Sequence, residues 1–354
     1  MNKELFGIRP SYSIALVSLI VAIGQFRLLQ LTMPFFDYQH SINESLAILE
    51  GHPTWIIYQS RVLGPIIVLL LSKITGSFVT AHVLFFVIFH ALAGFLIARL
   101  ISQLANPLGG WLAFWMFQAL FSLLLMNGWL FAWDNVGIII FTLFVYFVIT
   151  EKPWLYFSAL FAVAILNRES AFYIGLWMVA SPLCHLCVRG TAIPRRRIDW
   201  RLLIAGLGCI VLGWICIHFL RSHILVREAG PLLWGEPQGQ VVHFRWSNNL
   251  DYLWRGLNPT WNETSYSFGM ESAVGLFLLY LLGVIAHLAF INGGRWAALA
   301  LAHFALYVSV LVFASLRETR VLLEFLPLIV FSVVAIFPDQ PDSISCRGPR
   351  TSSA

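Results

Sequence analysis

The stretch "AILNRESAFYIG", residues 164–175, sets an arginine beside a glutamate between two apolar runs. Left in lipid, such groups cost several kcal/mol each, so Arg168 and Glu169 are expected inside protein or against a water-filled cavity. A guanidinium so placed can meet a phosphate oxygen, and the neighbouring carboxylate can orient it or read a hydroxyl. The plainer alternative is that the pair stabilises a break between two half-length helices. In "LRETRVLLEF", Arg317 and Arg320 stand one helical turn apart, with Glu324 a further turn down. They read either as a phosphate clamp or, for Arg320 and Glu324, as a structural pair. Arg61 precedes the apolar run "VLGPIIVLLLSK" and is set to face lipid headgroups or a phosphorylated ligand. Asp134 opens another apolar run, where it serves as a helix N-cap or as a second acid near a cavity. Asp37 lies where the first apolar run ends, and nothing local calls for a carboxylate there. His40 and Tyr38 flank it.

The elements that position these residues follow from composition. The chain has 354 residues, 59% hydrophobic and 11% charged, with a mean hydropathy of +0.80, which places it in a bilayer. Its net charge of +5 sits in short segments between apolar runs with no stacking platform nearby, which argues against nucleic acid. The five cysteines lie in or beside apolar segments or in the tail, so no disulfide framework is expected. The Cys184-His185-Leu186-Cys187 run lacks a second ligand pair, so no metal site is assigned. Lys3 and Arg9 precede an apolar run without a small-residue cleavage site, so that run reads as a retained span.

At about 20 apolar residues per crossing, ten spans are expected: 12–33, 77–98, 108–127, 135–150, 153–166, 170–188, 202–220, 272–291, 296–314 and 321–337. Residues 62–73 are too short to cross and read as a helix in or dipping into the outer interface. Counting them as a crossing would put Arg189, Arg195, Arg196, Arg197 and Arg201 outside, against the positive-inside rule. The chain is therefore expected to be an all-α polytopic membrane domain over 1–337, with a cytoplasmic disordered tail at 338–354. Both termini are then cytoplasmic, and the extracytoplasmic side receives the loops 34–76 and 221–271. Twelve of the seventeen acids fall on that side or at its edge. In the first of these loops, Ser41 and Glu44 form a capping-box pattern, Ile42, Leu46 and Leu49 an apolar stripe, and Gly51 and Pro53 a stop. That predicts a short amphipathic helix along the membrane surface. The second loop is rich in tryptophan and tyrosine, suited to sugar stacking or to the membrane interface.

An acid at the outer end of the first span, a surface helix ending in Gly51-His52-Pro53, then "YQSRVLGPIIVLLLSKITG" and "FVTAHVLFFVIFHALAGFLIARL", resemble the opening of GT-C superfamily glycosyltransferases. "FSALFAVAILNRESAFYIGLWMVA" and "LRETRVLLEFLPLIV" are similar to that family's arginine-containing junction and its late basic junction. The resemblance is one of spacing over most of the chain. Many members carry two adjacent acids at the first position, where this chain has Phe36-Asp37.

The resemblance implies a GT-C-like fold with short interfacial helices in the first outer loop. It implies an enzyme that moves a sugar from a polyprenyl-phosphate donor to a glycan, lipid or protein acceptor on the extracytoplasmic face of a bacterial inner membrane. Asp37 would then act as general base in one inverting step, and Arg61, Arg168, Arg317 and Arg320 would hold the donor phosphate. His40, Tyr38, Glu169 and Asp134 would bind or orient substrate. A divalent ion is compatible with the family, but no ligand set for one is assigned. The competing expectation is a transporter or flippase of a lipid-linked or amphipathic substrate, which also needs charged cavities and broken helices.

Overall fold

The computed structural model describes residues 10–32, 35–53, 56–125, 130–187, 198–224, 244–257, 270–290, 294–316 and 318–336. They form helices α1 Pro10–Thr32, α2 Phe35–Leu49, α3 Leu63–Thr75, α4 Phe78–Leu104, α5 Pro107–Leu125, α6 Ala132–Ile149, α7 Trp154–Ile165, α8 Phe172–Cys187, α9 Trp200–Phe219, α10 Trp246–Leu257, α11 Met270–Phe290, α12 Gly294–Phe313 and α13 Leu326–Ile336. No strand occurs among the described residues. The expected tail 338–354, the basic residues 189–197 and most of the loop 221–271 lie outside them.

Seven helices are long and apolar enough to cross a membrane: α1, α4, α5, α6, α9 with its extension to His223, α11 and α12. The other three expected spans are shorter helices of 12, 16 and 11 residues, α7, α8 and α13. Their apolar runs are interrupted by 3-10 turns at Glu169–Ala171 and Thr319–Phe325. The span expected at 321–337 therefore begins in a 3-10 turn, and its α-helical part starts at Leu326.

Local chemistry explains several boundaries. Ser77 caps α4 by accepting from the Thr80 N–H, and Asp199 caps α9 by accepting from the Arg201 and Leu202 N–H groups. Asn106 accepts from the Gly109 N–H, with Pro107 in the first helical position of α5. Gly76 ends α3 at φ 71°, a left-handed conformation that glycine adopts without steric cost. The tight turn folds α3 back against α4.

The expected capping box in the first outer loop is not formed. α2 begins at Phe35, so Ser41 and Glu44 lie inside the helix, and the Ser45 hydroxyl donates to the Ser41 carbonyl. The expected stripe is also rotated: Ile42 and Ile48 are buried together with Ser41, Glu44 and Ser45, while Leu46 is exposed. α2 packs on the bundle at both ends. Near its start the Tyr38 hydroxyl meets His82 Nδ1 at 3.3 Å, and near its end Ile48 packs with Tyr58, Val62, Phe131 and Trp133. Its small polar residues Ser41 and Ser45 are buried on the face that packs on protein.

α4 and α6 run in the same direction, with His90 against Asn135 and the Tyr146 hydroxyl on Gln103. The start of α6 is thus about nine residues, roughly 13 Å, below the start of α4. Gly64 of α3 seats on that start: a Cβ on it would lie 2.8 Å from the backbone of Ala132 and Trp133. The Leu63 N–H donates to the Leu166 carbonyl at 2.9 Å, which ties α3 to the end of α7. α3 packs on α4, α6 and α2. Residues 63–75 form a helix too short to be among the seven long spans, docked on the bundle because Gly64 and the Leu63 bond pin its first turn to the junction.

Candidate functional site

Six helix ends meet at the recessed level where α6 begins. α6 starts there, α7 ends and α8 starts at residues 166–171, α9 ends at Phe219 with Arg221 in its wider-wound continuation, and α13 starts after the turn 319–325. α3 starts there too, pinned by Leu63 and Gly64. Four of these ends are N-termini, each carrying roughly half a positive charge from its aligned peptides.

Into this junction the chain projects four guanidiniums and four carboxylates. The Phe131 N–H donates to Asp134 Oδ2 at 2.9 Å, so Asp134 caps α6, but from the third helical position and not as the N-cap residue the sequence reading expected, which is Phe131. Its second oxygen, Oδ1, lies 3.6 Å from both Arg168 Nη1 and Arg320 Nη1. Arg168 Nη1 also lies 3.4 Å from Glu324 Oε1, which accepts from the Ser170 hydroxyl at 2.8 Å. Glu169 turns the other way. It accepts from Arg221 Nη2 and from the Ser60 hydroxyl, each at 2.6 Å, and stands 3.6 Å from Arg61 Nε. Arg320 Nη2 donates to the Tyr58 hydroxyl at 2.9 Å and to Glu318 Oε2.

The expected Arg320–Glu324 pair is replaced by Arg168–Glu324 and Arg320–Glu318. The reason is the 3-10 geometry of 319–325: at three residues per turn, positions four apart point about 120° from each other.

Aromatic rings hold the two innermost arginines. The Arg61 guanidinium lies 4.8 Å from the Tyr58 ring and 5.6 Å from the Trp133 ring. That of Arg320 lies 4.4 Å from Phe131 and 5.9 Å from Tyr58. Phe131 and Trp133 stack at 4.5 Å. Such faces attract cations without consuming their N–H donors.

The donors therefore outnumber the acceptors. Four guanidiniums present about twenty N–H groups to four carboxylates. Arg61 Nε, Arg320 Nε and Nη1, Arg221 Nε and Trp133 Nε1 are buried without a hydrogen-bond partner. Side-chain charge sums to zero, yet the helix N-termini leave the junction electropositive, so it suits a ligand that offers acceptors and negative charge. Burial alone pushes the Glu169 carboxyl up, but Arg61, Arg221 and Ser60 outweigh it and lower its pKa to about 2. Exposure grades from Asp134 at 0% through Arg320 at 3% to Arg221 at 34%, so Arg221, Glu169 and Glu318 form the rim.

Arg61, Asp134, Arg168, Glu169 and Arg320, five of the residues expected from sequence, thus converge. His40 lies at the edge, its ring 6.3 Å from Phe131. Tyr38 is not in the cluster; it packs on Phe26 and His82, because the first turn of α2 faces α1 and α4. Arg317 lies outside the described residues, and so does the side chain of Asp37, whose backbone starts α2. The sequence reading did not assign Tyr58, Ser60, Trp133, Ser170, Arg221 or Glu318. Their signals are faint: Ser60 and Glu318 each adjoin or lie near an arginine, and Arg221 ends an apolar run like any interfacial cation. Among the described residues, no group of three or more His, Cys, Asp or Glu could hold a metal. No family model, curated protein or solved structure matches this chain.

Proposed function

We propose that the protein is a membrane glycosyltransferase that moves a sugar from a polyprenyl-phosphate donor to an acceptor on the extracytoplasmic face, by inversion at the anomeric carbon. The observation that carries the reading is the set of buried N–H groups on Arg61, Arg320 and Arg221 that have carboxylates nearby but no hydrogen-bond partner among the described residues, set amid four helix N-termini. A phosphate leaving group develops negative charge as its bond to the sugar breaks, and preorganised donors in a site of low dielectric stabilise that charge. Arg61 and Arg320 are the innermost candidates. Arg168, held between Asp134 and Glu324, positions the others. Asp37 is the proposed base, taking the proton of the acceptor hydroxyl as the oxygen attacks.

A transporter of an amphipathic, anionic substrate is the second reading, favoured by the interrupted helices at 166–171 and 319–325. Proteoliposomes supplied with radiolabelled polyprenyl-phosphate sugars distinguish the two. Transfer of label to an acceptor, lost in Asp37→Asn and weakened at least tenfold in kcat/KM in Arg320→Lys, supports the enzyme. Movement of intact donor across the bilayer without cleavage supports the transporter. Asp37→Asn transferring sugar as well as the unaltered chain would remove the assigned base.

A further inference from the structure

α10 presents three different faces. Its inner face carries Asn249, which binds the end of α12: the side-chain amide donates to the Leu311 and Ala314 carbonyls at 2.8 and 2.7 Å, and the Leu316 N–H reaches its oxygen at 3.3 Å. At the helix start the Arg245 N–H donates to the Val312 carbonyl at 2.7 Å. Tyr252 is buried on the same side.

A second face exposes Trp246, Leu250 and Trp254, spaced four residues apart, with Trp254 67% exposed. The third face is polar, with Ser247 and an exposed ion pair between Asp251 and Arg255 at 2.9 Å. Just before α10, Phe244 tilts against Phe313 with ring centroids 5.4 Å apart, and the spans α11 and α12 that α10 packs on expose Leu276, Leu279, Phe304 and Val308.

A helix fixed to the end of a span, apolar on one side and charged on another, fits the boundary between lipid headgroups and acyl chains. Tryptophan favours that boundary because its ring is largely apolar while its N–H seeks a polar partner. We propose that α10 is an interfacial anchor whose Trp246–Leu250–Trp254 stripe rests in the outer lipid boundary of the bilayer. Through Asn249 and the 314–316 turn, it sets the height of Glu318 and Arg320 relative to that boundary.

The proposal needs only a membrane location and stands apart from the proposed reaction. Single spin labels are placed at Ser247, Asn248, Leu250 and Leu253, in a chain whose native cysteines are replaced, and reconstituted in phosphatidylcholine and phosphatidylglycerol liposomes. Collision with oxygen and with a water-soluble nickel chelate is then measured. The Leu250 label is expected to favour oxygen over nickel at least threefold relative to the Ser247 label, with a helical period across the series. Equal nickel access at 250 and 247 would overturn the anchor. So would a Leu250 label shielded from both reagents, which would mean that protein covers the stripe. Because Ser247 and Asn248 lie off the stripe, their labels leave it intact.

Discussion

At the residue scale, the cluster is a set of coupled ion pairs, and the cost of breaking it depends on what is left behind. Removing Arg168 leaves Glu324 buried with the Ser170 hydroxyl as its hydrogen-bond donor, and Asp134 with Arg320 as its remaining ion-pair partner beside the Phe131 N–H. Such a loss costs about 3–5 kcal/mol. Arg168→Ala is expected to lower the midpoint of thermal unfolding in detergent, and adding Glu324→Gln to recover much of the loss by removing the orphaned charge. Two non-interacting losses that simply add would contradict the pairing. Glu169 supplies a pH test. Its folded pKa of about 2 lies below the ordinary 4.5, so its stabilisation is present above about pH 4.5 and fades as pH falls toward 2. Glu169→Gln is expected to flatten unfolding midpoints across that window, where the unaltered chain loses stability. At this scale the sequence made the arginines conspicuous, because a charge in an apolar run is rare. It left their partners open, since Arg168 could choose among several acids.

At the element scale, the site depends on short helices that end at one level. Gly64 carries the closest approach, α3 against the first turn of α6. Gly64→Ala is expected to push the two apart and lower stability by about 1–3 kcal/mol. Gly24→Ala, with nothing within 4 Å of the added methyl, is expected to be neutral or slightly stabilising. Thermal melts of the two variants side by side check this, and equal effects would mean that α3 does not seat on α6. The long spans α1, α4, α5, α6, α9, α11 and α12 were readable from apolar length alone. The start and stripe of α2 were misread, because serine and glutamate three residues apart suit a helix start and a buried helix face equally well. The 3-10 geometry of 319–325 had no sequence signature, so the Arg320–Glu324 spacing pointed to the wrong pair.

At the scale of the whole molecule, α4 spans 27 residues, about 40 Å, so its two ends belong on opposite sides of a bilayer. A cysteine in place of Lys73 is expected to react with an impermeant thiol reagent from the outer side. One in place of Asn106 is expected to react only after the membrane is opened, and the reverse pattern would invert the proposed sidedness. The membrane location, the all-helical class and the conspicuous charges were determined by the sequence itself, because transfer from water to lipid is a property of each segment's own composition. The depth of the arginine cluster, the partner of each carboxylate and the recruitment of Tyr58, Ser60 and Arg221 were decided only by the tertiary structure. They depend on where separate helices end relative to one another, and packing, not local composition, sets those heights.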